Sequence, residues 1–168
     1  CSSDLLNTYE ATRTVDLDGR LVVPGFNDTH THIRGRATRH IELGGVESIA
    51  TIQDLIRAKI DELGDGEWIA GYGWSEDELV EGRRPLRADL DAAAPNNPVI
   101  LSRAGGHSAV ANSLALELAN VDESTPQPEG GVIETGPDGR LNGVIRERQS
   151  IVSRLVDRKS TRLNSSHS

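Results

Sequence analysis

Asp28, His30 and His32 stand at alternate positions in the stretch Pro24-Gly25-Phe26-Asn27-Asp28-Thr29-His30-Thr31-His32. The apolar run Leu21-Val22-Val23 precedes it, so the stretch reads as the end of a buried β-strand. Strand side chains alternate faces with period two, which sends these three residues to one side. Two imidazoles and a carboxylate on one face can begin a divalent-metal site. The spacing alone is a weak signal. Its position at the C-terminal end of an apolar strand, where α/β barrels place their sites, strengthens it. The only cysteine is Cys1, so His, Asp and Glu would have to supply the remaining ligands, and no internal disulfide is possible.

Two further residues have chemical potential. His107 follows Gly105-Gly106, and paired glycines let a backbone come close to a ligand. It is expected either as a substrate contact or pocket-wall group, or as a loop histidine bonded to backbone. Glu147 stands where a strand gives way to a helix. The plain structural alternative for it is a favourable acid in a helix first turn.

The elements that must position these residues alternate. Thr12 to Leu17 reads as a strand, Asp18-Gly19 as a two-residue turn, and Arg20 to Val23 as the strand that feeds the motif. After Ile33 comes a polar loop with Arg34, Arg36, Arg39 and His40, read as solvated or as facing the site mouth. Ile41 to Val46 suits a short strand. Thr51 is expected to cap a helix whose Ile52, Leu55, Ile56, Ile60 and Leu63 share one face, with Gly64 stopping it. Trp68 to Trp74 is a second buried strand, its aromatics expected as packing. Arg87 to Ala94 reads as a short helix, Pro98 to Ser102 as a third strand, and Asn112 or Ser113 as the cap of a helix through Leu118. Val132-Thr135 and Leu141-Ile145 read as a hairpin, and Arg146 to Val156 as a last helix. Apolar strands alternating with helices predict parallel strands covered on both faces. A complete (β/α)8 barrel needs about 250 residues, and this chain holds about three βα units.

The 168 residues suffice for one ordinary domain with a real core. Composition is globular, with 36% hydrophobic and 26% charged residues. The net charge of −8 argues against nucleic acid as a partner and suits a soluble, cytoplasmic protein. No apolar run approaches the roughly 18–20 residues that span a bilayer, and no basic-then-apolar signal peptide opens the sequence. There is no methionine, even at position 1. From Asp157 the chain turns polar and loses its amphipathic period. Residues 157–168 resemble a translated sequencing adapter and are read as an artefact, which leaves His167 without a function.

The run from Asp16 to His32 resembles the barrel entry of the amidohydrolase superfamily, more narrowly amidohydrolase family 3, the YtcJ-like branch. The same likeness runs through Trp68–Trp74, Arg84-Pro85-Leu86-Arg87 with Asp89-Leu90-Asp91, and Pro98 to Leu116. It closes on Asp138-Gly139-Arg140-Leu141-Asn142-Gly143-Val144-Ile145-Arg146-Glu147, covering nearly all of residues 12–156. The resemblance implies an α/β fold: the opening part of a (β/α)8 barrel over residues 21–156, preceded by the remnant of a small β-sandwich over residues 1–20. It implies hydrolysis of a non-peptide C–N bond in a small molecule, with water activated by one or two divalent ions, zinc foremost. By the same likeness His30 and His32 are metal ligands. Asp28, read from its place beside them, orients a histidine or anchors the loop, with direct metal contact and a plain structural role as the alternatives. Glu147 is the bridging or pocket carboxylate. The lysine or glutamate, further histidines and catalytic aspartate of the family would come from later strands, so the chain by itself is expected to be inactive. A homo-oligomer of a full-length parent is compatible with all of this. Two other readings stand beside it. One is a PHP-type phosphoesterase, which also opens on an Asp-x-His-x-His strand but lacks the preceding hairpin and bend. The other is a non-catalytic metal-binding or structural module.

Overall fold

A computed structural model describes residues 12, 13, 16, 18–20 and 38–156. Asp28, His30 and His32, the Arg20–Val23 strand apart from Arg20, and residues 157–168 lie outside the described residues. Most of Thr12–Leu17 does too. At Asp18-Gly19 the expected turn is present. Both residues have positive φ, 52° and 76°, and the Asp18 amide is held by the Asp16 carboxylate at 2.9 Å.

Among the described residues, the body that begins at Gly35 contains one mixed sheet of six strands. Its strands are β1 (His40–Glu42), β2 (Ile69–Trp74), β3 (Val99–Arg103), β4 (Ser108–Ala111), β5 (Val132–Thr135) and β6 (Leu141–Arg146). Between them lie α1 (Ile49–Leu63), α2 (Arg87–Ala93) and α3 (Ser113–Leu118), and a last helix, α4, covers 150–156. The strand order is β1-β2-β3-β4-β6-β5.

β1, β2 and β3 run parallel, as their apolar composition predicts. The expectation of parallel strands holds through β3, after which the sheet becomes mixed. β4 returns antiparallel to β3, with Ile100 opposite Ala111 and Ser102 opposite Ala109. The physical reason is connection length: Ala104 to His107 is a tight reversal, whereas a parallel crossover needs a dozen or more residues. β4 was not anticipated as a strand. Its four residues are all buried, so no alternation betrays it. β6 pairs antiparallel with β4 and so runs in the direction of β1–β3, and β5 completes the expected hairpin.

Side-chain alternation divides the interior into two cores, one on each face of the sheet. Ile41, Ile69, Val99, Leu101, Val110 and Val144 pack with α1 and α2 on one face. Ile100, Ala109, Ala111, Ile133 and Ile145 pack with α3 and α4 on the other. Ile52 and Ile56 of α1 are almost wholly buried, each contributing about 2 kcal/mol of apolar burial. The cap of α1 is Ser48 rather than Thr51: Ser48 Oγ accepts from the Thr51 amide at 3.0 Å. Serine caps at least as well as threonine, and choosing it lets Ile49 join the buried face. Gly64 ends the helix as expected, its amide reaching the Ile60 carbonyl at 2.7 Å.

Asn112 ties both cores together. It is fully buried and all its bonding capacity is used. Its Oδ1 accepts from the Val99 amide (2.9 Å) and from the Ala115 amide at the start of α3 (3.0 Å). Its Nδ2 donates to the carbonyls of Ala94 (3.1 Å) and Asn97 (2.9 Å). At Gly143 of β6, which has φ 92°, a Cβ would lie 2.5 Å from the Ala111 carbonyl oxygen and 2.8 Å from Arg87 Cβ. Only glycine allows β6 to pass that close to β4 and α2.

Candidate active-site rim

Because β6 runs with β1–β3, four strands deliver their C-terminal ends to one edge of the sheet. Glu42 closes β1, Trp74 β2, Arg103 β3 and Arg146 β6. The β3–β4 reversal and the start of β5 lie at this same edge, since Ser108 and Val132 both pair with Arg146. Open α/β sheets and barrels bind their ligands at the carboxyl ends of strands.

His107 and Glu147 meet here. They are 40 positions apart in the chain. The Glu147 amide donates to the His107 carbonyl at 2.8 Å. The His107 ring nitrogen Nδ1 lies 3.2 Å from Glu147 Oε2. Both side chains face solvent, 80% and 55% exposed, so the pair is available to a ligand rather than sealed in a core. Glu147 is not in a helix first turn. It precedes α4, with φ of 60° in the left-handed region. A non-glycine residue held there is strained, and such strain concentrates at sites of function.

The backbone under His107 is restrained from several directions. The Ala104 amide donates to the Trp74 carbonyl at 2.9 Å, and the Gly106 amide to the Arg103 carbonyl at 3.0 Å. Tyr72 Oη accepts from the Gly105 amide at 3.3 Å. Gln149 Nε2 donates to the Gly106 carbonyl. Beside the pair, a cleft of about 210 Å³ is lined by Gly130, Gly131, Val132, Arg146 and Glu147. A larger hollow of about 340 Å³ includes Arg87, Ser113 and Leu141 in its wall, at the opposite end of the strands, away from His107 and Glu147.

Charge at the rim is organised by three arginines. Arg103 Nε donates to Glu76 Oε2 at 2.6 Å, and this bond holds the Glu76 carboxyl below its ordinary range despite opposition from burial. Glu134 receives Arg146 Nε at 3.0 Å and Arg84 Nη1 at 3.1 Å, joining the β5–β6 hairpin to the loop before α2. Two of the three aromatics pack as expected. Trp68 and Trp74 are buried, and Trp74 Nε1 donates to the Leu101 carbonyl at 3.1 Å. Tyr72 is the exception, since its hydroxyl reaches the loop that carries His107. His40 does not face this rim. It opens β1 and therefore sits at the other end of the strand, while Arg39 Nη1 donates to the Val156 carbonyl at 3.2 Å.

The sequence-based site residues thus divide. His107 and Glu147 are brought together. His30, His32 and Asp28 fall outside the described residues. Among the described residues, no three His, Cys, Asp or Glu side chains gather to hold a metal ion. Tyr72 was expected only as packing, and Gln149 was not singled out from sequence. A tyrosine in an apolar strand reads as packing, and a lone glutamine gives no signal.

Residues 13–164 match the amidohydrolase family. The chain is 36% identical over 138 residues to Protein LONG AFTER FAR-RED 3 of Arabidopsis thaliana, covering 81% of this chain and 24% of that one. It is 30% identical over 148 residues to the putative amidohydrolase YtcJ of Bacillus subtilis, covering 86% and 28%. It is 34% identical over 137 residues to N-substituted formamide deformylase of Arthrobacter pascens, covering 79% and 25%. The chain therefore spans about a quarter of the length of these relatives. Among solved structures it resembles an uncharacterized metal-dependent hydrolase from Pyrococcus furiosus, with TM-score 0.51 and 31% identity over 71% of this chain and 21% of that one. Among the described residues, no helix is long and apolar enough to cross a membrane.

Proposed function

The chain belongs to the amidohydrolase family, and from that premise we propose that it forms the opening part of a metal-dependent hydrolase barrel acting on a C–N bond of a small molecule. The observation that carries the reading is the meeting of His107 and Glu147 at the C-terminal ends of the strands. The resemblance to N-substituted formamide deformylase supports an amide-type, non-peptide substrate. The family match favours this reading over a phosphoesterase.

The donor chemistry fits a divalent ion. Two imidazoles one residue apart, with a neighbouring carboxylate and no thiol beyond Cys1, suit zinc or a similar borderline metal. His30 and His32 would hold it, and Asp28 would orient one of them. When bound, such an ion lowers the pKa of its water and polarises the scissile carbonyl. The chain's own residues do the rest. The exposed His107 ring contacts the substrate or forms the pocket wall. The Glu147 carboxylate, 3.2 Å from Nδ1, accepts a hydrogen bond from Nδ1–H and so fixes the ring tautomer. The adjoining cleft takes a small substituent against Val132 and the glycine backbone. Residues 1–20 are read as part of a flanking β-sandwich, 157–168 as an artefact, and the protein as cytoplasmic.

The test is hydrolysis of N-formyl and N-acyl amines by the full-length protein, with and without a chelator. The expected result is zinc-restorable release of the carboxylate. Glu147→Gln should lower kcat/KM by roughly 10²-fold. Release of phosphate from phosphoesters instead would contradict the proposal. So would metal-dependent amidase turnover by the 168-residue chain alone, which by this reading lacks the remaining ligands.

A further inference from the structure

The loop Ala104-Gly105-Gly106-His107 carries one side chain capable of chemistry, that of His107. Gly105 and Gly106 have φ of 88° and 76°, two consecutive left-handed residues with many alternative conformations open to them. A loop of that composition does not hold an imidazole in place unless other groups fix it. Two side chains from elsewhere in the chain do so. Tyr72 Oη, from β2, accepts from the Gly105 amide at 3.3 Å. Gln149 Nε2, from the turn before α4, donates to the Gly106 carbonyl.

We propose that Gln149 and Tyr72 are positioning residues that clamp the Gly105–Gly106 hinge so that His107 meets Glu147. This rests on the reading of His107 and Glu147 as site residues. The Gln149 amide is committed to that task. Its Nε2 faces a carbonyl, while its Oε1 is buried with no hydrogen-bond partner among the described residues. A buried acceptor left unsatisfied is a cost to the fold, and it is tolerated where the other end of the group is needed. The geometry also links the partners: Gln149 lies two residues after Glu147, whose own amide donates to the His107 carbonyl at 2.8 Å. One short segment thus holds the loop backbone at Gly106 and at His107, and presents the carboxylate to the ring.

The experiment is NMR on the 168-residue chain, reading the His107 ring resonances and the exchange rate of the Glu147 amide. In the parent chain, Glu147→Gln should move the ring resonances, and the Glu147 amide should be protected. Gln149→Glu is nearly isosteric but has no N–H to give the Gly106 carbonyl. It should speed Glu147 amide exchange at least tenfold and abolish the response of the His107 ring to Glu147→Gln. Tyr72→Phe should do the same to a smaller degree. Gln149→Lys, which keeps an N–H donor, should retain both signals. Persistence of protection and response in Gln149→Glu would overturn the clamp, as would equal loss in Gln149→Lys. Failure of Gln149→Glu to fold would also contradict it, because the clamp serves the loop and not the core. None of these readouts depends on turnover, so a site without catalytic function would leave them unchanged.

Discussion

His107 and Glu147 are joined twice, by a backbone bond of 2.8 Å and by a side-chain contact of 3.2 Å. The first contact fixes where the two chain segments lie. The second couples an imidazole to a carboxylate in full view of solvent. An exposed side-chain contact of this kind adds little to stability, about 0–1 kcal/mol even when both groups are charged. The arrangement is therefore better explained by what it offers a ligand than by what it adds to the fold.

Glu147 tests that view directly. Its left-handed φ of 60° costs a non-glycine residue about 1–2 kcal/mol. Replacement by glycine removes this strain, loses the weak pair, and adds roughly 0.5–1 kcal/mol of unfolded-state entropy. Glu147→Gly should leave the unfolding free energy unchanged or raise it slightly, by about 0.5 kcal/mol, in chemical denaturation. A loss above about 1 kcal/mol would show that Glu147 is kept for structure.

How much of this was legible in the sequence depends on the physics behind each feature. The helix through Ile52 and Ile56, its stop at Gly64 and the Asn112 cap were readable, because they rest on local periodicity and capping chemistry. The parallel order of β1–β3 followed from their apolar runs. β4 was invisible, since four buried small residues carry no period. The left-handed Glu147 was missed because local propensity places an acid there in a helix, and a tertiary bond to the His107 carbonyl overrides it. His107 and Glu147 were each suspected singly. Their pairing is a matter of sheet order, which no spacing in the chain encodes.

Asn112 should be the most costly polar residue to lose. Asn112→Ala strips partners from two amides and two carbonyls in the interior. The expected destabilisation is about 3–5 kcal/mol, read as a fall in the denaturant midpoint with little change in slope. A change under about 1 kcal/mol would mean that water replaces the lost bonds.

Asp89 should make the fold sensitive to acid. Burial by itself would raise its carboxyl, but two bonds from Arg83, at 2.7 and 2.9 Å, and one from the Leu86 amide, at 2.8 Å, outweigh burial and hold it below its ordinary value. A group with a depressed folded pKa stabilises the native state above its unfolded pKa of about 3.9, and that contribution is lost as pH falls through the folded value. Thermal midpoints should therefore drop as pH falls below about 4. Asp89→Asn should flatten this dependence and cost about 1 kcal/mol at pH 7. An unchanged pH profile in Asp89→Asn would assign the acid sensitivity to other carboxylates.

On the proposed reading, His30 and His32 are metal ligands contributed by the first barrel strand. Zinc titration of the full-length protein by calorimetry, against its His30→Ala/His32→Ala double variant, tests it most directly. The expected result is zinc uptake by the parent chain and an affinity at least about tenfold weaker in the double variant. Equal uptake by both would contradict this assignment and move the site to other donors, with His107 and Glu147 the first to examine.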